Sequence, residues 1–146
     1  MRALGVDLGS KRIGIAVSDR SGTVASPFTV LARSKSGRQD LAEIGRLARE
    51  EEAEIIVVGL PLTLDGEVGP AARAALAEAE RLATVVDVPV ETHDERLTTV
   101  TADRTLMEAN LSAPARRRVV DKVAAAVMLQ SWLDARRVRE AARGAP

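Results

Sequence analysis

Cysteine is absent from this chain and aromatic residues nearly so: there is one Phe (Phe28), one Trp (Trp132) and no Tyr. The first absence excludes disulfides and thiolate zinc sites and fits a reducing cytoplasm. The second takes away the aromatic platforms on which many single-strand nucleic-acid binders stack bases. Net charge is missing too, with 21 basic residues against 21 acidic ones, so a nucleic-acid site has to be a local patch rather than a property of the whole molecule. No apolar run approaches the ~20 residues that span a bilayer. The N-terminal apolar run, Ala3 to Val6, stops at Asp7, too early for a signal peptide.

What is present is the length of one domain, 146 residues, enough to bury a real core. The domain is expected to occupy residues 1–138, with the Ala/Arg-rich segment 139–146 as a disordered tail.

The stretch Arg2 to Asp19 organises the rest. A short apolar strand (Ala3 to Val6) is followed by a carboxylate (Asp7), a glycine turn (Gly9), two cations (Lys11, Arg12) and a second apolar strand (Ile13 to Val17). Strands joined this closely form a hairpin. The plainer interpretation of Asp7 is an Asx-type turn with Gly9 at positive φ. The sharper one is that the strand delivers a carboxylate to a cleft, where something cationic must bind it.

Farther along, Thr23 to Leu31 returns as a third strand, and Pro27 within it points to a sheet edge. A helix is predicted from about Gln39 to Glu52 on the spacing of Leu41, Ile44, Leu47 and Ala48, with Glu50, Glu51, Glu52 and Glu54 as a solvated acidic face rather than a metal site. Ile55 to Val58 reads as a strand covered on both faces, and the loop Thr63 to Pro70 follows its C-terminal end, where open α/β sheets place function. A second helix covers about Ala71 to Ala83. Val88 to Thr92 forms the last strand and delivers His93, Asp94, Glu95 and Arg96. A helix capped by Thr98 or Thr99 runs to about Ala109, Asn110 to Pro114 breaks it, and a final helix runs from about Ala115 to Arg137 with Asp121 beside its apolar stripe.

Asp7, Glu95 and Asp121 thus come from three distant elements, and the topology permits them to converge at one sheet edge. Converging carboxylates repel one another unless divalent cations occupy the gap. Hard oxygen ligands favour Mg²⁺ or Mn²⁺, and His93 alone cannot build a zinc site. A lone His at a strand end is more often a hydrogen-bonded surface group than a proton shuttle, and Arg96 fits an ion-pair partner of Glu95.

Four segments, GVDLGSKRIGIAVSD, VVGLPLTLDGEVGP, HDERLTT and VVDKVAAAVMLQSWL, together resemble the YqgF/RuvX family of ribonuclease H-like nucleases, named as pre-16S ribosomal RNA nucleases and as Holliday junction resolvases. The resemblance covers Arg2 to about Arg137. It implies an α/β, ribonuclease H-like fold: a mixed five-stranded sheet, an antiparallel meander followed by parallel strands, with helices on both faces. It also implies that Asp7, Glu95 and Asp121 are the metal-binding catalytic acids. True junction resolvases of this fold carry a further acid three residues on along the last helix, where this chain has Ala124. Asp19 is a candidate to compensate, as is Asp94, although Asp94 alternates away from Glu95 along the strand.

Lys11 and Arg12 are placed to hold a phosphate beside the acids. Arg116, Arg117 and Arg118 open the last helix, where the dipole disfavours cations; a phosphate backbone would offset that cost, and a solvated basic turn is the plainer alternative. The expected function is metal-dependent phosphodiester cleavage in 5′-end maturation of pre-16S ribosomal RNA by a monomer or homodimer. The expected partner is nucleic acid, an RNA precursor ahead of DNA, with no membrane. The alternatives are junction resolution, a non-catalytic ribosome-assembly adaptor, and an actin-like phosphate-binding module, for which one copy of the domain is too short to clamp a nucleotide.

Overall fold

The computed structural model describes residues 1–62, 65–94 and 113–144, the side chains of 113–121 and of 144 excepted. Within them lie β1 (Ala3–Leu8), β2 (Arg12–Ser18), β3 (Ala25–Ala32), α1 (Gly37–Glu50), β4 (Ile55–Leu60), α2 (Pro70–Val85), β5 (Val90–Asp94) and α3 (Ala113–Gly144). The helix predicted near 98–109 falls outside the described residues.

The strands form one five-stranded sheet in the order β3-β2-β1-β4-β5. β1, β2 and β3 pair antiparallel, while β1–β4 and β4–β5 are parallel. Pro27 stands on edge strand β3, where a missing N–H costs no ladder bond. The interior strand β4 is buried along Ile55–Gly59, which explains its unbroken apolar run.

Alternation along each strand sorts the side chains onto two faces. Leu4, Val6, Ile13, Ile15, Ile56 and Val58 pack against Leu41, Ile44, Leu47 and Ala48 of α1 and Ala79 and Leu82 of α2. Ala3, Ala16, Ile55 and Val57 meet Ala125, Ala126, Met128, Leu129, Trp132 and Leu133 of α3 on the other face. Ser36 caps α1 by accepting from the Gln39 N–H at 3.3 Å, and Pro70 opens α2 where its missing N–H is not needed.

Several boundaries differ from those predicted. β4 and β5 extend through Leu60 and Asp94 because backbone pairing of Gly59 with His93 and of Leu60 with Asp94 needs no apolar side chain. Pro114 lies in the first turn of α3 instead of breaking the chain before it. α3 also continues through Gly144, so residues 139–144, expected as part of a disordered tail, are helical. The segment 115–143 contains neither Pro nor Gly, and an Arg136–Glu140 ion pair at 2.7 Å joins successive turns.

Candidate active site

Asp7 is the penultimate residue of β1 and is half-buried. Its neighbour by two, Gly5, faces α3: a Cβ there would lie 2.9 Å from Leu129 Cβ and 3.3 Å from the Ala125 carbonyl oxygen. Asp7 shares that face by alternation, one pleat nearer the end of the strand. Across the sheet Asp7 pairs with Gly14, and Gly14 with Val30.

The turn after Asp7 is tightly tied. Gly9 N–H donates to the Asp7 carbonyl at 3.1 Å, and a Cβ on Gly9 would stand 2.5 Å from the Arg12 carbonyl oxygen. Gly9 is therefore required by close approach; its φ is not in the left-handed region, contrary to the expectation of a positive-φ turn.

Arg33, a residue the sequence did not single out, anchors this turn from below. Its N–H donates to the Lys11 carbonyl at 3.0 Å and its Nε to the Gly9 carbonyl at 2.9 Å. The two Nη groups form a bidentate pair with Glu78 of α2, both at 2.8 Å, and Nη1 lies 3.6 Å from Asp40 Oδ2 of α1. Glu78 foremost holds the guanidinium charged, its pKa raised above the ordinary arginine value. Burial acts to raise the Asp40 pKa, but the Ser34 N–H at 3.0 Å and Arg33 outweigh it and leave the carboxyl below its usual range. No local pattern announces this network, because residues 33, 40 and 78 meet only after α1 and α2 have docked.

α3 is positioned as firmly. Gln130 accepts from the Ala25 N–H at 2.8 Å and donates to the Thr23 carbonyl at 2.9 Å, and Trp132 Nε1 donates to Glu91 at 2.9 Å. Ala125 and Leu129 contact β1 at Gly5, while Trp132 and Leu133 pack with Ala3, Met1 and Ile55. The helix thus runs antiparallel to β1. Position 121, one turn before Ala125 on this stripe, lies toward the strand end that carries Asp7.

Of the predicted acids, Asp7 stands on this face. The backbone of Asp121 lies on the helix that crosses it, with its side chain outside the described set. Glu95 follows the last described residue of β5. Within β5, Glu91 and His93 face α3, bonded to Trp132 and Ser131. Among the described residues no three His, Asp or Glu side chains are grouped to hold a metal.

The remaining candidates sort by position. Lys11 is exposed on the turn, and Arg12 is half-buried at the start of β2. Arg116, Arg117 and Arg118 lie in the opening turns of α3, with their side chains outside the described set. His93 Nε2 is 2.9 Å from Ser131 Oγ, and burial lowers its pKa, so it is the hydrogen-bonded group anticipated.

Asp19 does not compensate for a missing acid. It lies at the opposite end of the sheet, where its carboxylate accepts from Ser21 Oγ at 2.6 Å and from the Thr23 and Val24 N–H groups at 2.8 and 3.1 Å. Those bonds, the Ser21 hydroxyl foremost, lower its pKa to about 2. The acidic run after α1 is largely exposed, as expected, and also makes ion pairs and hydrogen bonds: Glu51 pairs with Arg2 at 2.9 Å, Glu54 accepts from the Arg2 N–H at 3.1 Å, and Glu52 pairs with Arg20 at 3.0 Å.

A three-strand meander continued by parallel strands, with an acid at the end of the central β1 and a helix crossing the same face, defines a ribonuclease H-like fold. Its overall course is similar to that of Thermus thermophilus RuvC, with TM-score 0.57 and 16% identity over 94% of this chain and 97% of that one. It is also similar to T. thermophilus RuvC in complex with a Holliday junction substrate, with TM-score 0.56 and 17% identity over 94% and 96% of the two chains.

The chain belongs to the RuvX family, whose model, described as Holliday junction resolvase, matches residues 1–135. A Myxococcus xanthus protein named "Putative pre-16S rRNA nuclease" is 50% identical over 94% of this chain and 90% of its own length. A relative of the same name from Mycobacterium sp. (strain KMS) is 47% identical over 98% of this chain and 85% of its own length.

Proposed function

We propose that this protein is a cytoplasmic, metal-dependent nuclease that trims the 5′ end of the 16S ribosomal RNA precursor, with Asp7, Glu95 and Asp121 as its metal-binding acids. The observation that carries this proposal is the approach of α3 to β1 at Gly5, which brings position 121 toward the strand end bearing Asp7. In β5 the residues at 91 and 93 face α3, and Glu95 is the next position of that parity.

The donor set suits Mg²⁺ or Mn²⁺: carboxylate oxygens, no thiolate in the chain, and the imidazole of its single histidine engaged with Ser131. Such an ion, once bound, supplies charge neutralisation at the phosphate and acidifies a water for attack. The protein's own groups do the rest. Lys11 and Arg12 hold the phosphate beside Asp7, Arg33 keeps their turn in place, and Arg116, Arg117 and Arg118 follow the strand's backbone.

Three acids rather than four, with Ala124 buried where resolvases carry the fourth, favour a modest single site suited to a flexible RNA strand. Paired incision of a junction needs two strong sites at fixed spacing on a two-fold dimer. The test is parallel turnover on single-stranded RNA extended 5′ of the mature end, single-stranded DNA and four-way junctions, with Mg²⁺ and with Mn²⁺. RNA is expected to be cut fastest, with Mn²⁺ at least as effective as Mg²⁺. Symmetric paired junction incisions outrunning RNA cleavage would assign the protein to recombination instead.

A further inference from the structure

The sheet carries a second feature on the α3 face that the acids do not use. β2 and β3 pair Ile15 with Thr29 and then Ala16 with Pro27, so Phe28 is the extra residue of a β-bulge, a device that re-aims a side chain. Phe28 is 39% exposed, although it is the only Phe in the chain. Together with Arg12, Thr29, Val30, Ala32 and Lys122 it lines an open groove of about 350 Å³, at the lower end of ligand-pocket sizes.

The groove has a definite relation to Asp7. Val30 is in its wall and stands in the row Asp7–Gly14–Val30 across three adjacent strands, two strand spacings or about 10 Å from β1. Gly14, between them, raises no side chain from β2. Gly14 is buried, so the way from the Asp7 turn to the groove runs by Arg12, which begins β2 directly after that turn and also lines the groove.

We propose that the groove binds an unpaired nucleotide of the substrate strand beside the scissile phosphate, with its base stacked on Phe28 and its phosphates held by Arg12 and Lys122. An exposed aromatic face flanked by cations is the combination that captures single strands, because every base has a π-face and every linkage a charge. A paired base, already stacked, cannot enter, so the groove selects single-stranded over duplex substrate. This inference deepens the nuclease assignment and rests on it.

The test is fluorescence anisotropy with the full chain and a labelled single-stranded RNA 12-mer, without divalent metal so that nothing is cut. Phe28→Ala is expected to weaken binding about 5- to 100-fold. Phe28→Leu, which restores bulk without a π-face, should weaken it comparably, and Phe28→Tyr should bind within about twofold of wild type. Lys122→Ala is expected to flatten the salt dependence by about 0.7 in the log–log slope. Unchanged binding by Phe28→Ala, with its circular dichroism intact, overturns the groove and leaves the nuclease assignment standing. RNA binding that depends on Phe28, in a wild-type protein that cleaves no nucleic acid with either metal, keeps the groove and overturns the nuclease assignment. A wild type that binds no RNA overturns both.

Discussion

The two faces of the sheet are built from different material. Toward α1 and α2 it presents Leu4, Val6, Ile13, Ile15, Ile56 and Val58, all fully buried. Toward α3 it presents Ala3, Gly5 and Ala16 on β1 and β2 and Ile55 and Val57 on β4, then, nearing the end of β1, Gly14, Asp7 and Arg12. Large branched side chains fill one layer at close packing, so that face can hold the fold together. Small ones on the other let the helix come close and leave charged groups at the margin. Both faces carry buried core, and on the proposed function the chemistry belongs to the edge of the α3 face, so variants should separate core from edge.

Ile56→Ala, which empties a fully buried site on the α1/α2 face, should cost about 2–5 kcal/mol of unfolding free energy. The fraction still folded should keep its kcat, as urea melts and turnover at low temperature will show. Arg33→Met comes next. It strands the largely buried carboxylates of Asp40 and Glu78 and should cost about 2–4 kcal/mol. Because the Lys11 turn loses its anchor, kcat should also fall, by up to about 100-fold. Arg33→Lys should rescue little, since an ammonium cannot pair bidentately with Glu78 and reach Gly9 as well.

Gly5→Ala should cost about 1–3 kcal/mol by pressing a methyl against Leu129. It should lower kcat more than its stability loss explains, because α3 is displaced where position 121 approaches β1. A smaller effect belongs to the far end of the sheet. Asp19 has its pKa lowered from 3.8 to about 2 in the folded protein. Its contribution is therefore complete above pH 4 and is lost as pH falls toward 2. Asp19→Asn should flatten the decline of the urea midpoint over that acid range and leave activity at neutral pH unchanged.

The order of the described elements and the position of Asp7 were legible in the sequence because they rest on local patterns: period-two alternation, an apolar run ending in an acid, and the spacing of Leu41, Ile44 and Leu47. The roles of Arg33 and Phe28 were not. Arg33 acquires its function only when residues 45 positions apart in sequence meet it, and Phe28 acquires its exposure from a register shift between two strands. The scarcity of aromatics argues against base stacking on counting alone; the proposal for Phe28 turns instead on where that one ring stands. Asp19 misled for a related reason, since an acid closing a turn and an acid awaiting a metal look alike until their donors are seen.

Of all the variants considered, Asp7→Asn should disturb stability least and activity most, and it tests the division between the faces most directly. Thermal melting and RNA cleavage should be measured on the same preparation with Mn²⁺. Cleavage is expected to fall at least about 100-fold, with the melting temperature within about 2 °C of wild type, since the amide keeps the shape of the carboxylate it replaces. Joint loss of folding and cleavage, or cleavage retained in the variant, would contradict a catalytic Asp7 at the margin of the core.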